Sequence, residues 1–162
     1  SVDNMATLAR AIATRAVAEG ADETAINHRR DSFIAALSQW QQSARQQLAP
    51  YQHTPWLSQH DPWGYFAESL NLQAPLRVSN GLQSSTSSRH FSELMQQMRN
   101  LPVHCVVREP EAQRALLARL CQHDCKSVDL DPLGRDRHYS GYVNFIETLT
   151  KGFADCLSAG TR

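Results

Sequence analysis

Apolar residues in the first part of the chain recur at steps of three and four. Met5, Leu8, Ala9, Ile12, Ala13, Ala16 and Val17 form one stripe; Ile26, Phe33, Leu37, Trp40, Ala44 and Leu48 form a second. Both have the period of an amphipathic helix. Asp3 or Asn4 can cap the first and Gly20 can end it. Asp22 can cap the second, with Glu23 in its first turn, and Pro50 stops it after Ala49. The second helix so predicted has about 27 residues, roughly 40 Å at the α-helical rise. From Trp56 onward the pattern changes to short apolar runs. Trp56 to His60, Leu76 to Val78, Val103 to Val107 and Lys126 to Leu130 read as strands. Val103-His104-Cys105-Val106-Val107 is the clearest, β-branched and nearly all apolar, as a buried parallel strand is. Helices are predicted between them over Gly64 to Leu72, over Arg89 to Asn100 with Ser87 or Ser88 as cap, and over Glu111 to Cys121 behind Pro110. A last helix runs from Ser140 to Ser158. Asn80-Gly81 and Ser84 to Ser88 read as loop.

Alternation of strand and helix at this spacing predicts an α/β fold. Its sheet is four-stranded and mainly parallel, flanked by helices and preceded by the long helix. Right-handed crossovers put the carboxyl ends of all the strands on one edge. His60, Glu109 and Asp131 each follow a strand end, so an imidazole and two carboxylates are expected on one rim. Open α/β sheets take their ligands there, and an imidazole so placed can hold a divalent metal. The plainer alternative is that His60 only hydrogen-bonds its own loop.

Composition narrows the choices. The 162 residues suffice for one ordinary core. Sixteen basic residues balance 16 acidic ones, which argues against a nucleic-acid surface or an anionic-membrane patch. No apolar run is long enough to cross a bilayer. No signal peptide is evident, and without a starting Met the chain is expected to be trimmed. Four cysteines permit two disulfides without requiring them. Cys121 and Cys125 flank Gln-His-Asp and read as a small-loop disulfide, as a metal clip with His123, or as part of a Cys–His nucleophile. His28, His53, His90, His104 and His138 have no partner at ligand spacing and read as surface or satisfied residues.

Several segments resemble one family. HDPWGYF at His60 to Phe66 is similar to the HDAYGYF-type segment of periplasmic zinc-binding receptors of ABC transporters (ZnuA-like). Cys105-Val106-Val107-Arg108-Glu109-Pro110 is similar to that family's strand followed by Glu-Pro. Leu130-Asp131-Pro132-Leu133-Gly134 matches its LDPLG segment. Tyr142 to Leu157 resembles its last helix, and Ala49-Pro50 fits the end of its long helix. The resemblance covers essentially the whole chain. It implies two lobes joined by a long helix, with the metal between them. On that reading residues 1–20 are a remnant helix of the first lobe, 21–50 the inter-lobe helix and 51–162 the C-terminal lobe. By the same resemblance, the N-terminal lobe with its His ligands, and the acidic, His-rich loop, are expected to lie outside this chain.

Glu109, after the central strand, is expected to orient the site or to cap the helix from Glu111 to Cys121 rather than to bind metal, with Tyr65 a second supporting candidate. The resemblance further implies His60 and Asp131 as metal ligands. It implies a bonded pair Cys105–Cys156, an oxidising periplasm, an ABC transporter permease as partner and no catalysis. Pro62 and Trp63 stand where the family usually has Ala and Tyr, which stiffens the turn but leaves the imidazole in place. His60 leans the ion toward zinc rather than manganese or iron. Zinc takes about four ligands, so binding in this fragment is expected to be weak or absent. Without a first lobe, the stripe from Met5 to Val17 is uncovered and could pair two copies as a homodimer. Competing readings are a stand-alone α/β interaction domain without metal, and an enzyme using the rim of His60, Glu109 and Asp131. A neutral, Gly-poor set of loops does not suggest the substrate pocket an enzyme would need.

Overall fold

The computed structural model describes residues 1–79, 87–121, 125–135 and 138–161. The expected loop at Asn80-Gly81 and Ser84 to Thr86, and the proposed clip residue His123, lie outside the described residues. Helices α1 (Val2–Ala18) and α2 (Glu23–Leu48) come first. There follow β1 (Trp56–Ser58), α3 (Gly64–Ser69), β2 (Leu76–Arg77), α4 (Ser88–Asn100), β3 (Cys105–Arg108), α5 (Arg114–Leu120), β4 (Lys126–Asp129) and α6 (Tyr142–Leu157).

Helix α2 has 26 residues, and the Asp22 carboxylate accepts from the Ala25 N–H at 2.6 Å. Helix α1 is capped by Ser1, whose hydroxyl accepts from the Asn4 N–H, rather than by Asp3 or Asn4. The two helices pack as a hairpin. Val2, Ala6 and Ala13 are buried, while Leu8 and Ile12 are 49% and 59% exposed. Small residues therefore make the close approach, and the bulkier ones of the stripe stand outward. Nothing beyond that exposed pair supports the homodimer expected from the sequence.

The sheet order is β2-β1-β3-β4, and every pairing is parallel. Alternate side chains point to opposite faces of a strand, and two cores result. Trp56, Cys105 and Val107 join α2, α3 and α6 on one face. Leu57 and Val106 join Leu94 of α4 and Leu117 and Leu120 of α5 on the other. At the centre of the first core, Phe153 of α6 lies against Trp56, Trp63 and Phe66 with ring centroids 5.1–5.4 Å apart. Edge strand β4 is mostly exposed, and its Lys126 pairs with Asp155 of α6 at 2.5 Å.

Most elements are shorter than the sequence pattern suggests. Strand β1 ends at Ser58, so His60 stands in the loop beyond it. Helix α3 ends at Ser69, and Asn71 turns the chain away with φ 58°. Helix α5 starts at Arg114 rather than Glu111. Residues 109–112 form a turn closed from the Ala112 N–H to the Glu109 carbonyl, and the Gln59 side-chain oxygen accepts from the Gln113 N–H. The loop after β1 thus fixes where α5 begins.

All four cysteines are bonded. Cys105–Cys156 ties β3 to α6 with Cα atoms 5.2 Å apart, and both residues are fully buried. Cys121–Cys125 joins the end of α5 to the start of β4. No thiol is left free. That overturns both the metal clip with His123 and the Cys–His nucleophile, since each needs a thiolate.

Candidate metal site at the sheet edge

The strand order fixes where a ligand could sit. From β1 the chain steps outward to β2, then returns past β1 to β3 and on to β4. The order therefore reverses between β1 and β3. In a doubly wound sheet this is where crossovers leave on opposite faces and a crevice opens beyond the carboxyl ends. Here α3 packs in one core while α4 and α5 pack in the other. His60 follows β1 and Glu109 follows β3, so the two residues flank that crevice. Asp131 follows β4, one strand further on.

Glu109 is 1% exposed. Its Oε1 accepts from the Ser58 hydroxyl at 2.6 Å and from the Trp63 indole N–H at 3.0 Å. The Ser58 hydroxyl also lies 2.6 Å from the His60 carbonyl. Glu109 Oε2 is buried without a hydrogen bond and stands 3.9 Å from His60 Nδ1. The His60 side chain is 12% exposed. A small closing movement would let Nδ1–H donate to Oε2 and leave Nε2 for an ion, the carboxylate–imidazole pairing that orients metal-bound histidines. Glu109 therefore stands beside the His60 ring without a hydrogen bond to it. It does not cap a helix starting at Glu111, because α5 begins later. Beside it, Asp61 Oδ1 is also buried without a partner, and Asp61 packs against Gly64 at the start of α3.

Asp131 is in a different condition. It is 3% exposed, and each of its oxygens has two donors. Oδ1 accepts from the Leu133 N–H at 3.0 Å and Arg135 Nη2 at 3.2 Å. Oδ2 accepts from the Arg135 N–H at 2.8 Å and Arg135 Nε at 2.9 Å. Gly134, with φ 66°, lets the chain double back so that Arg135 brings both backbone and side chain to the carboxylate. A Cβ at Gly134 would lie 3.2 Å from the Phe145 ring, so the turn is also tightly packed.

The Arg135 guanidinium holds the Asp131 carboxyl below the usual range, aided by the two backbone N–H groups and opposed by burial. A carboxyl depressed in the folded state adds stability above its unfolded pKa, about 4, and loses it as pH falls through the folded value. The chain is expected to lose stability below about pH 4, and Asp131→Asn to flatten that loss. Thermal melts across the acid range would check this; identical slopes would mean that Asp131 contributes nothing.

Tyr65 is 69% exposed and has no hydrogen bond to His60, Glu109 or Asp131. Among the remaining histidines, His90 Nε2 lies 2.9 Å from the Arg77 carbonyl, and His28, His53 and His138 are exposed. Among the described residues, no three His, Cys, Asp or Glu side chains gather as a metal site. Sequence reasoning missed Ser58, Trp63 and Arg135. The first two had a signal: a serine in the fully buried run Trp56-Leu57-Ser58 and a buried indole both need hydrogen-bond partners.

A family model described as zinc-uptake complex component A, periplasmic (ZnuA), matches residues 1–156. Among solved structures, a zinc-bound AdcAII mutant variant of Streptococcus pneumoniae superposes with a TM-score of 0.78 at 16% identity, over 97% of this chain and 58% of that one. A ZnuA crystal structure gives 0.76 at 20% identity, over 98% and 58%. FpvC of Pseudomonas aeruginosa, in complex with manganese, gives 0.72 at 14% identity, over 99% and 59%. The chain thus spans less than two thirds of the structures it matches, and at these identities they establish the fold. No curated protein sequence matches significantly. With the family model covering nearly every residue, and the four-stranded parallel sheet that of the solved structures, the chain belongs to the ZnuA family of periplasmic zinc-uptake components.

Proposed function

We propose that this chain is the C-terminal lobe, with its inter-lobe helix, of a periplasmic solute-binding protein. That protein captures zinc and hands it to an ABC permease, catalysing no reaction. The observation that carries this reading is the His60–Glu109 pair at the strand-order reversal: a nearly buried imidazole backed by a carboxylate oxygen with no other partner. His60 is the lobe's imidazole ligand. Asp131 is the second candidate, although Arg135 and Leu133 already donate to both of its oxygens. Zinc over manganese follows from the imidazole. No helix among the described residues is long and apolar enough to cross a membrane.

Two measurements test the reading. Calorimetry of the 162-residue chain with zinc is expected to give weak binding; nanomolar one-to-one affinity would sink the half-site. In a receptor carrying both lobes, His60→Ala should weaken zinc binding by more than the roughly 10–100-fold that a supporting residue costs. Unchanged affinity would remove His60 from the site. One observation favours a second reading, an α/β interaction domain of this fold without metal binding: the saturated state of Asp131. The His60→Ala comparison decides against it if affinity falls.

A further inference from the structure

A carboxylate offers about four lone-pair directions, and the protein's own donors occupy that number on Asp131. The guanidinium meets it as a fork, Nε on one oxygen and Nη2 on the other. This is the geometry in which an Arg–carboxylate pair is strongest. The same Nη2 also donates to Glu111 Oε1 at 2.7 Å, which anchors Arg135 a second time. It therefore cannot release Asp131 without breaking a second ion pair or pivoting about it. An ion approaching Asp131 would have to displace these donors and then sit beside a fixed positive charge. His60 faces no such obstacle, because its neighbour Glu109 keeps one oxygen unpartnered.

We propose that Arg135 keeps Asp131 out of the ion's ligand shell and so sets the lobe's selectivity. The ion meets the imidazole of His60 without the carboxylate of Asp131. That handicaps manganese, which favours carboxylate oxygen, more than zinc, which accepts imidazole readily. Arg135 is thus a specificity-determining residue that acts through Asp131. The inference rests on the reading of this rim as a metal site.

The test uses the 162-residue chain, followed by nuclear magnetic resonance with zinc and manganese added separately. In Arg135→Gln, manganese should broaden the Leu133 amide at a concentration roughly 10-fold or more below that needed in the native chain. Adding Asp131→Asn to that variant should cancel the gain. Zinc should shift the His60 ring resonances alike in all three proteins. Should Arg135→Gln fail to fold, Arg135→Lys keeps the charge without the fork and should show a smaller gain in the same direction. Equal broadening in variant and native chain, with the zinc response intact, would overturn the role of Arg135 alone, as would a gain that survives Asp131→Asn. A native chain whose His60 ring ignores zinc even at high millimolar concentration, together with unchanged zinc affinity of His60→Ala in a two-lobed receptor, would instead strike the metal-site reading itself.

Discussion

Replacing Cys105 and Cys156 together with alanine is expected to lower the stability of the chain by about 4 kcal/mol. The bond closes a loop spanning 51 positions. On the loop-entropy model such a closure restricts the unfolded chain by about 4 kcal/mol, and a closure over four positions, as in Cys121–Cys125, by about 2 kcal/mol. Packing widens the gap. Cys105 and Cys156 are fully buried between the central strand and α6, beside Trp56 and Phe153, so alanine there also leaves a void. Cys121 and Cys125 are only half-buried at the rim of the other core. With total stabilities of about 5–15 kcal/mol typical, the first loss is a large share. It should appear as a fall in melting temperature of roughly 10 °C for a domain of this size. Thermal and denaturant melts of the two double variants would check the order, and equal losses would refute it. Since the first bond alone links the two halves of one core, its reduction should also loosen α6 from the sheet.

The sheet was legible because its inner strands are short, nearly all-apolar runs, buried on both faces as parallel strands are. The run from Val103 to Val107 shows its inner position directly, and the helix stripes mark what covers it. The rim was legible for a related reason: once the strands are parallel, the residues just past their ends share an edge. What local pattern could not convey was hydrogen bonding across that edge. Ser58 and Trp63 lie far from Glu109 in the chain, and their meeting depends on β1 and β3 being neighbours. The start of α5 was misplaced for the same cause. Pro110-Glu111 is a good local helix opening, but contacts from the β1 loop override it. Arg135 was missed although it lies only four residues from Asp131. The link is a left-handed glycine, and the segment Asp131-Pro132-Leu133-Gly134 reads equally well as an ordinary turn leaving a strand.

Glu109 should separate the rim's structural task from its chemical one. Glu109→Ala removes the acceptor that holds the Trp63 indole N–H and the Ser58 hydroxyl. Ser58 keeps the His60 carbonyl within reach, but the indole N–H is left buried without a partner. An orphaned donor and the void beside it together cost about 2–4 kcal/mol. Trp63 packs on Phe66 and Phe153, so its displacement would spread into the first core. Glu109→Gln behaves differently. Two donors at Oε1 require the amide oxygen to stay there, and the amide nitrogen then takes the place of Oε2. Stability should change by about 1 kcal/mol or less. An amide nitrogen cannot accept from His60 Nδ1–H, however, so the imidazole loses the support that fixes its tautomer. Zinc affinity in a two-lobed receptor should fall roughly 10–100-fold. Denaturant melts give the first quantity and metal titration the second. If Glu109→Gln melts like the native chain and binds zinc as well, the oxygen facing His60 has no part in holding the ion, and Glu109 is there only to seat Trp63.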